Sequence, residues 1–329
     1  MRSSRKKDSR CIRVLKKTDK IFLAGHRGLV GSAIHRKLTS QGFDNIITRT
    51  RQDLDLMSQE AVYEFLAAEK PQAIICAAAK VGGIGANSTF PADFIGQNLI
   101  IEANLIWGAH LADVPNFQFL GSSCIYPRET AQPIPEEAML TGKPEPTNAP
   151  YAIAKIAGLY LCDAISKQYG RNYYTVMPPN VYGPYDNFDL KTSHVLPALI
   201  RKFHEAKLDG NREVECWGTG SPRREFLHSD DVADACAFLL QQEKVEGHVN
   251  VGTGTSVSIK QLAETIQSIV GHAGSLRWNT SYPDGFPEKT MKVDKLFGMG
   301  WRPSFSLESG IQDAYTWFLE NKAAEFAQG

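Results

Sequence analysis

An α/β fold with a doubly wound parallel sheet is predicted by three observations. Short apolar segments of strand length alternate with longer segments of helical period through the first half of the chain. Those short segments are apolar at consecutive positions, as strands covered on both faces must be. A glycine-rich turn joins the first of them to the first helix.

Taken in order, residues 20–25 (Lys-Ile-Phe-Leu-Ala-Gly) read as the first strand. Leu29, Ala33, Ile34 and Leu38 then recur at helical spacing, and Gly42 stops that helix. Strand 45–48, helix 58–68, strand 73–79, helix 92–113, strand 117–121, helix 151–169 and strand 173–178 follow. Past residue 185 the rhythm weakens. Segments 186–192 and 217–224 are rich in polar residues, Gly and Pro. Strands at 213–217 and 248–251 stand among helices at 194–206, 230–242, 258–270 and 308–322. No internal repeat is visible.

Composition bounds the class. The chain has 329 residues, 43% hydrophobic and 22% charged, which excludes a disordered or collagen-like polymer. No apolar run reaches the ~18 residues of a membrane span. Lys+Arg and Asp+Glu are both 36, which argues against a nucleic-acid binder. The balance hides an asymmetry: residues 1–20 hold nine Lys/Arg against Asp8 and Asp19. This leader lacks the apolar core of a secretory signal, and its Lys clusters fit a transit peptide poorly, so residues 1–19 read as a solvated, disordered tail. The six cysteines show no C-x-x-C and no Cys/His ligand spacing. They read as reduced thiols of a cytoplasmic protein without a metal site.

Gly25-His26-Arg27-Gly28-Leu29-Val30-Gly31 sits between the first strand and the first helix. Glycines at i, i+3 and i+6 permit a tight turn, backbone approach to a pyrophosphate, and close helix–strand packing. The helix N-terminus adds unbonded N–H groups and a positive dipole end. In this context the motif marks a Rossmann-type dinucleotide site. The second strand ends in Arg49-Thr50-Arg51, where an acidic residue would favour NAD. Guanidinium groups suit a 2′-phosphate, so NADP(H) is the expected cofactor. Asp53, Leu54 and Asp55 follow past the strand end, where adenine would lie. The domains expected are thus the leader 1–19, a cofactor-binding domain at 20–185, and a mainly substrate-binding region at 186–329, interleaved with the last sheet elements.

Tyr151 and Lys155 lie four apart on one helical face. A nearby ammonium stabilises phenolate and is expected to lower the tyrosine pKa toward a working range. Such a phenol can protonate a carbonyl oxygen as hydride arrives. Leu120-Gly121-Ser122-Ser123-Cys124 ends the fourth strand, where active groups of parallel sheets cluster. By itself, Ser122-Ser123 is also ordinary turn chemistry, and Cys124 an ordinary small core residue.

The glycine triplet, Ser122, Tyr151 and Lys155, in this order, resemble the extended short-chain dehydrogenase/reductases that act on nucleotide sugars. The resemblance runs from about residue 20 to near the C-terminus. It is carried by residues 25–31, by Lys80-Val-Gly-Gly-Ile-Gly-Ala-Asn87, by Gly121-Ser-Ser-Cys-Ile-Tyr-Pro127, by residues 145–158, and by Trp217-Gly-Thr-Gly-Ser-Pro-Arg-Arg-Glu-Phe-Leu-His228. Dehydratases of that family carry Thr-Asp-Glu where this chain has Ser122-Ser123-Cys124, which points away from water loss.

The resemblance implies an enzyme acting on a GDP-linked 4-keto-6-deoxy sugar. It would epimerise C3 and C5, with Cys124 and His194 as the acid/base pair, and then reduce C4 with NADPH. Tyr151 would donate the proton, Lys155 would bond the nicotinamide ribose, and Ser122 would orient the carbonyl. Leu120, Gly121, Ser123, Pro178, Pro179, Asn180, Val181 and His194 are expected near the cofactor. Arg224 and Lys202 are expected at the diphosphate, Trp217 at the base, and Asp284 at a substrate donor group. A homodimer through two helices is implied, at 98–110 and 152–166, whose Leu99, Ile100, Leu105, Ile106, Trp107, Ile156, Leu159, Leu161 and Ile165 make them apolar around much of their surface. Two rivals stand beside this expectation: another nucleotide-sugar epimerase or reductase of the same fold, and a non-catalytic NADPH-binding protein.

Overall fold

Residues 12–210, 212–282, 284–285 and 287–326 are described by a computed structural model of the chain. The elements run β1 (Ile21–Ala24), α1 (Leu29–Ser40), β2 (Ile46–Ile47), α2 (Gln59–Glu69), β3 (Ala73–Cys76), α3 (Ile84–Thr89), α4 (Pro91–Leu111), β4 (Asn116–Leu120), α5 (Ala149–Tyr169) and β5 (Asn172–Met177). After these come β6 (Asn180–Tyr182), α6 (Val195–Leu208), β7 (Glu213–Trp217), β8 (Arg223–Arg224), β9 (Phe226–His228), α7 (Ser229–Leu240), β10 (His248–Asn250), β11 (Val257–Ser258), α8 (Ile259–Val270), β12 (Ser275–Asn279), β13 (Glu288–Lys289), α9 (Asp294–Gly298) and α10 (Leu307–Asn321).

Successive strand residues point to opposite faces, so a strand apolar throughout needs cover on both sides. The structure supplies it. Ile21 and Leu23 of β1, Ala73 and Ile75 of β3, and Tyr174 and Val176 of β5 pack with Ile34 and Leu38 of α1 and Val232 and Cys236 of α7. Phe22, Ile74, Cys76, Phe117, Phe119 and Tyr173 face the other way, onto Val62 and Leu66 of α2, Leu105 of α4 and Cys162 of α5. The six strands lie in the order β2-β1-β3-β4-β5-β10, all parallel. Gln118 of β4 donates its amide N–H groups to the Tyr174 hydroxyl (2.9 Å) and the Cys236 carbonyl (3.0 Å), which tie β4 to β5 and α7.

The sixth strand, β10, comes from far beyond residue 185. It pairs with β5, and α7 before it packs on α1. The chain therefore leaves the main layer after β5 and returns to close it. The later region has its own core, in which Leu199, Ile200 and Phe203 of α6 meet Leu262 and Ile266 of α8 and Ile311 and Phe318 of α10. Its small sheets, β11-β8-β13 and β12-β7, were only partly readable, because two-residue strands carry no period. α3, β6, β8, β9, β12, β13 and α9 all escape the sequence reading.

The leader departs from expectation where it is described. Residues 1–11, most of the basic run, lie outside the described residues. Residues 12–19 are not a solvated tail: Leu15 is buried in the main core. Asp19 accepts from both Arg13 guanidinium nitrogens (2.6 and 2.7 Å) and from the Lys16 N–H. No described helix is long and apolar enough to cross a membrane.

Candidate active site

The glycine loop is shaped by close approach. Gly25 adopts φ +86°, and a Cβ there would stand 2.7 Å from the Ala77 backbone. At Gly31 a Cβ would lie 2.0 Å from the Gly25 carbonyl, so only glycine lets α1 start against β1. Gly28 differs: its nearest protein atom would be 3.6 Å away. Nothing inside the protein requires glycine at that point. As N-cap of α1 it offers no side-chain cap, so the first-turn N–H groups, from Leu29 to Gly31, point outward without intrahelical partners. An uncapped helix start with an open approach fits a dinucleotide pyrophosphate. Val30 packs on the core, while His26 is half-buried, with burial and then Arg27 lowering its pKa.

At the end of β2 the two arginines separate. Arg49 pairs with Glu69 at 3.1 Å and lies over the Phe65 ring, so it is committed to the protein. Arg51 and Arg27 are exposed beside the loop. Asp53 accepts from the Thr50 N–H (3.0 Å) and hydroxyl (2.6 Å), which makes it a turn-former, and Leu54 is buried behind it.

The chemical centre lies where β4 ends against α5. Pro150 in the first turn of α5 fixes its start, and Tyr151 and Lys155 rise one turn apart. Lys155 is buried. Its ammonium donates to the Leu120 carbonyl at 3.0 Å, lies 3.0 Å from Glu102 Oε1, and sits over the rings of Phe119 (4.5 Å) and Tyr151 (5.9 Å). Burial, the largest single influence, works to lower its pKa, but Glu102, Tyr151 and Cys76 together raise it and the net shift is upward. The Tyr151 phenol bonds the Ser122 side chain, and its ring meets Phe94 edge-on at 6.5 Å. Contrary to the expectation of a lowered value, burial pushes the phenol up to about 12, and Lys155 offsets only part of that. The shift keeps the phenol protonated at neutral pH, the form a proton donor must start from.

Ser122 begins a short 3-10 turn, accepting from the Cys124 N–H at 3.3 Å, which brings Cys124 beside the tyrosine, half-exposed. Gly121 is hemmed in by Met177, and Ser123 is buried with its N–H on the Pro178 carbonyl at 3.0 Å. Pro178, Pro179, Asn180 and Val181 thus line the same strand-end face. The Asn180 amide is engaged, donating to the Glu225 carbonyl at 2.8 Å.

His194 is the N-cap of α6, with no capping bond. Solvent reaches its ring, yet the surrounding protein desolvates it and lowers its pKa. The segment before it is tied to the Lys80–Asn87 loop by a bond from the Gly83 N–H to the Thr192 carbonyl at 3.0 Å.

Of the substrate-side residues, Arg224 on β8 is half-buried. Burial lowers its pKa, against Glu145 and Asp284 nearby. Lys202 donates to the Glu215 carbonyl (3.2 Å) and stands 5.1 Å from the Trp217 ring. Trp217 is 56% exposed, so it is no core residue, but Tyr282 already stacks on it at 4.3 Å and 11°. Asp284 accepts from the Thr219 N–H (2.9 Å) and hydroxyl (2.6 Å), which pins the 217–221 turn rather than leaving the carboxylate open.

Sequence reasoning missed Glu102, Glu225 and Lys289. A signal for Glu102 existed: it falls in phase with Phe94, Asn98, Leu105 and Ala109 on one buried stripe of α4. Glu225 is buried and accepts N–H bonds from Thr253, Gly254 and Met291 (2.6–2.8 Å), stapling three segments behind Arg224. Lys289 pairs in register with Arg224 across β13–β8, close enough to Cys124, Arg224 and Glu145 to feel their charges. No periodicity marks either.

The profile of the NAD dependent epimerase/dehydratase family matches residues 21–252. The chain is 55% identical over 305 residues to GDP-L-fucose synthase 1 of Arabidopsis thaliana, covering 93% of this chain and 94% of the other. It is 49% identical over 312 residues to the GDP-L-fucose synthase of Escherichia coli (strain K12), covering 92% and 97%. Among solved structures, a GDP-mannoheptose C4 reductase from Campylobacter jejuni with NADP bound superposes with a TM-score of 0.85 at 38% identity, covering 93% and 99%. The site's geometry and these likenesses agree: the chain belongs to the NAD dependent epimerase/dehydratase family and, within it, to the group of the GDP-L-fucose synthases.

Proposed function

We propose that the chain is a bifunctional 3,5-epimerase and NADPH-dependent 4-reductase that converts GDP-4-keto-6-deoxy-D-mannose to GDP-L-fucose. The observation that carries the reading is the juxtaposition of a Ser122/Tyr151/Lys155 set, its lysine buried, with the half-buried Cys124 thiol two residues from Ser122. A reductase needs the first, and an epimerase needs the second.

The residues take these roles. The 4-ketone acidifies the hydrogens on C3 and C5. Cys124 and His194 flank the ring, removing a proton from one face and returning one to the other, at each carbon in turn. The Ser122 hydroxyl bonds O4 and holds the enolate charge that develops there. Bound NADPH supplies the hydride. Tyr151 passes its proton to O4, and Lys155 steadies the phenolate left behind. The loop from Gly25 to Gly31 would hold the pyrophosphate, and Arg27 and Arg51 the 2′-phosphate. Lys202 and Arg224 would take the sugar diphosphate, and Trp217 the base.

We read 20–185 as the cofactor domain and 186–329 as mainly the substrate region. A homodimer through α4 and α5 is supported by the exposed Ile100, Trp107, Leu111, Ile153 and Tyr160 on those helices. Of the apolar residues expected to make the interface, Leu105, Ile106, Leu159 and Ile165 instead fill the core. The cysteines among the described residues are all free thiols, which supports a cytoplasmic setting.

The decisive assay offers purified protein GDP-4-keto-6-deoxy-D-mannose with NADPH, then with NADH, and reads product stereochemistry by NMR. Inversion at C3 and C5 with reduction at C4, faster with NADPH, is expected. Reduction without inversion would leave only a C4 reductase.

A further inference from the structure

Lys155 sets its ammonium against Tyr151, and it is held from behind. Glu102 projects from α4 across the α4–α5 seam, and its Oε1 lies 3.0 Å from Lys155 Nζ, with both side chains 2% exposed. The Leu120 carbonyl takes a second ammonium proton at 3.0 Å. The room for this pair is cut to size. A Cβ on Gly158, one turn past Lys155, would stand 2.9 Å from Glu102 Oε2 and 2.7 Å from the Phe119 ring. Glycine at 158 therefore keeps the carboxylate in place.

We propose that Glu102 is a positioning residue of the reductive step, anchoring the Lys155 ammonium in a fixed place behind the Tyr151 phenol and keeping it charged there. The inference rests on reading the chain as a reductase. A lone buried ammonium tends to lose its proton, since low dielectric disfavours the charged form. A carboxylate at contact distance reverses that. Burial, the largest influence, lowers the Lys155 pKa; Glu102 leads the groups that raise it, and together they carry the net shift upward, while burial pushes the Glu102 carboxyl up and Lys155 opposes that. The other titratable groups facing the pair are the thiols of Cys76 on β3 and Cys162 on α5, and Cys124 beyond the phenol. Burial holds Cys76 and Cys162 protonated, so neither can replace the carboxylate.

Two measurements on the full chain test this. In Glu102→Gln, which keeps the shape, the alkaline limb of NADPH-dependent reduction should move at least one pH unit lower. Either Lys155 loses its proton or the phenol does, and each disables proton delivery. Solvent-deuterium exchange at C3 and C5 should keep its pH profile. The second readout needs no sugar: the 13Cε signal of Lys155, identified by its loss in Lys155→Met, should titrate at least one unit lower in Glu102→Gln. Glu102→Asp, which keeps the charge, should stay near wild type in both, and it carries the test if the glutamine variant unfolds. An unmoved lysine titration would overturn the proposal. A moved titration in a protein that reduces no GDP-4-keto sugar would sink the functional reading and leave the ion pair's role standing.

Discussion

Tyr151 and His194 stand at the heads of two helices, α5 and α6, and are built in opposite ways. Tyr151 is wired in: Ser122 bonds its phenol, Lys155 lies beneath its ring, and Glu102 holds Lys155 from the neighbouring helix. His194 caps its helix without a side-chain bond, is exposed, and has its pKa lowered by desolvation from the protein around it, with no charged partner contributing. The difference matches the two proposed tasks. Hydride transfer happens at one carbon and needs one fixed proton donor. Epimerisation visits two carbons of one ring, so its acid/base group gains from a ring free to turn. The sheet and its two seam helices fix the first group, while a loop seated on the smaller core carries the second.

Tyr151→Phe tests the wired half most severely. NADPH oxidation should fall by about 10²–10⁴-fold, the usual range for a lost general acid, while deuterium wash-in at C3 and C5 persists. Equal loss of both would erase the division between the two centres. Next in size, Cys124→Ser and His194→Asn should each slow wash-in by about 10²-fold and leave reduction of an already epimerised ketone less affected.

The pH profile sharpens the contrast further. A lowered imidazole pKa means that His194 stays neutral at pH values where an ordinary histidine is half protonated, about 6.5. Wash-in that relies on neutral His194 should therefore hold its rate as pH falls through 6.5, dropping only at lower pH. A midpoint at or above 6.5, read from the rate of deuterium entry, would contradict this.

Two glycine substitutions close the set. Gly158→Ala drives a methyl into Phe119 and Glu102, so thermal unfolding should report a loss of about 1–3 kcal/mol, together with slower reduction. Gly83→Ala would bring a methyl to 2.8 Å from the Ser193 carbonyl, pushing on the segment that carries His194. Wash-in should change a few-fold at little cost in stability. If the effects were reversed, the fixed and the adjustable centres would have been misassigned.

The main layer was legible because its strands and helices are long enough to show a period. The apolar runs at 21–24 and 73–76 and the helical spacing from Leu29 to Leu38 each state which side must be covered. The glycine loop and the Tyr151/Lys155 spacing are local, so they too could be read along the chain. The part of the leader at 12–19 was misjudged from its charge: Leu15 and the Arg13–Asp19 pair tie it down, and composition does not report a single buried leucine. The direction of the Tyr151 shift was also misjudged, because the sequence displays the ammonium four residues away but not the mass of protein that buries the phenol.

What the sequence determined alone, then, is the alternation that demands a two-faced parallel sheet, the glycine turn proposed to receive a pyrophosphate, and the four-residue spacing of Tyr151 and Lys155. Tertiary structure decided which partners those groups meet. Glu102 reaches Lys155 from 53 positions away, Asp284 is spent on Thr219, and Tyr282 covers one face of Trp217. The physical reason is that period and propensity act over a few residues. The field at an ionisable group is set instead by whatever the fold brings within a few ångströms, and that depends on every contact at once.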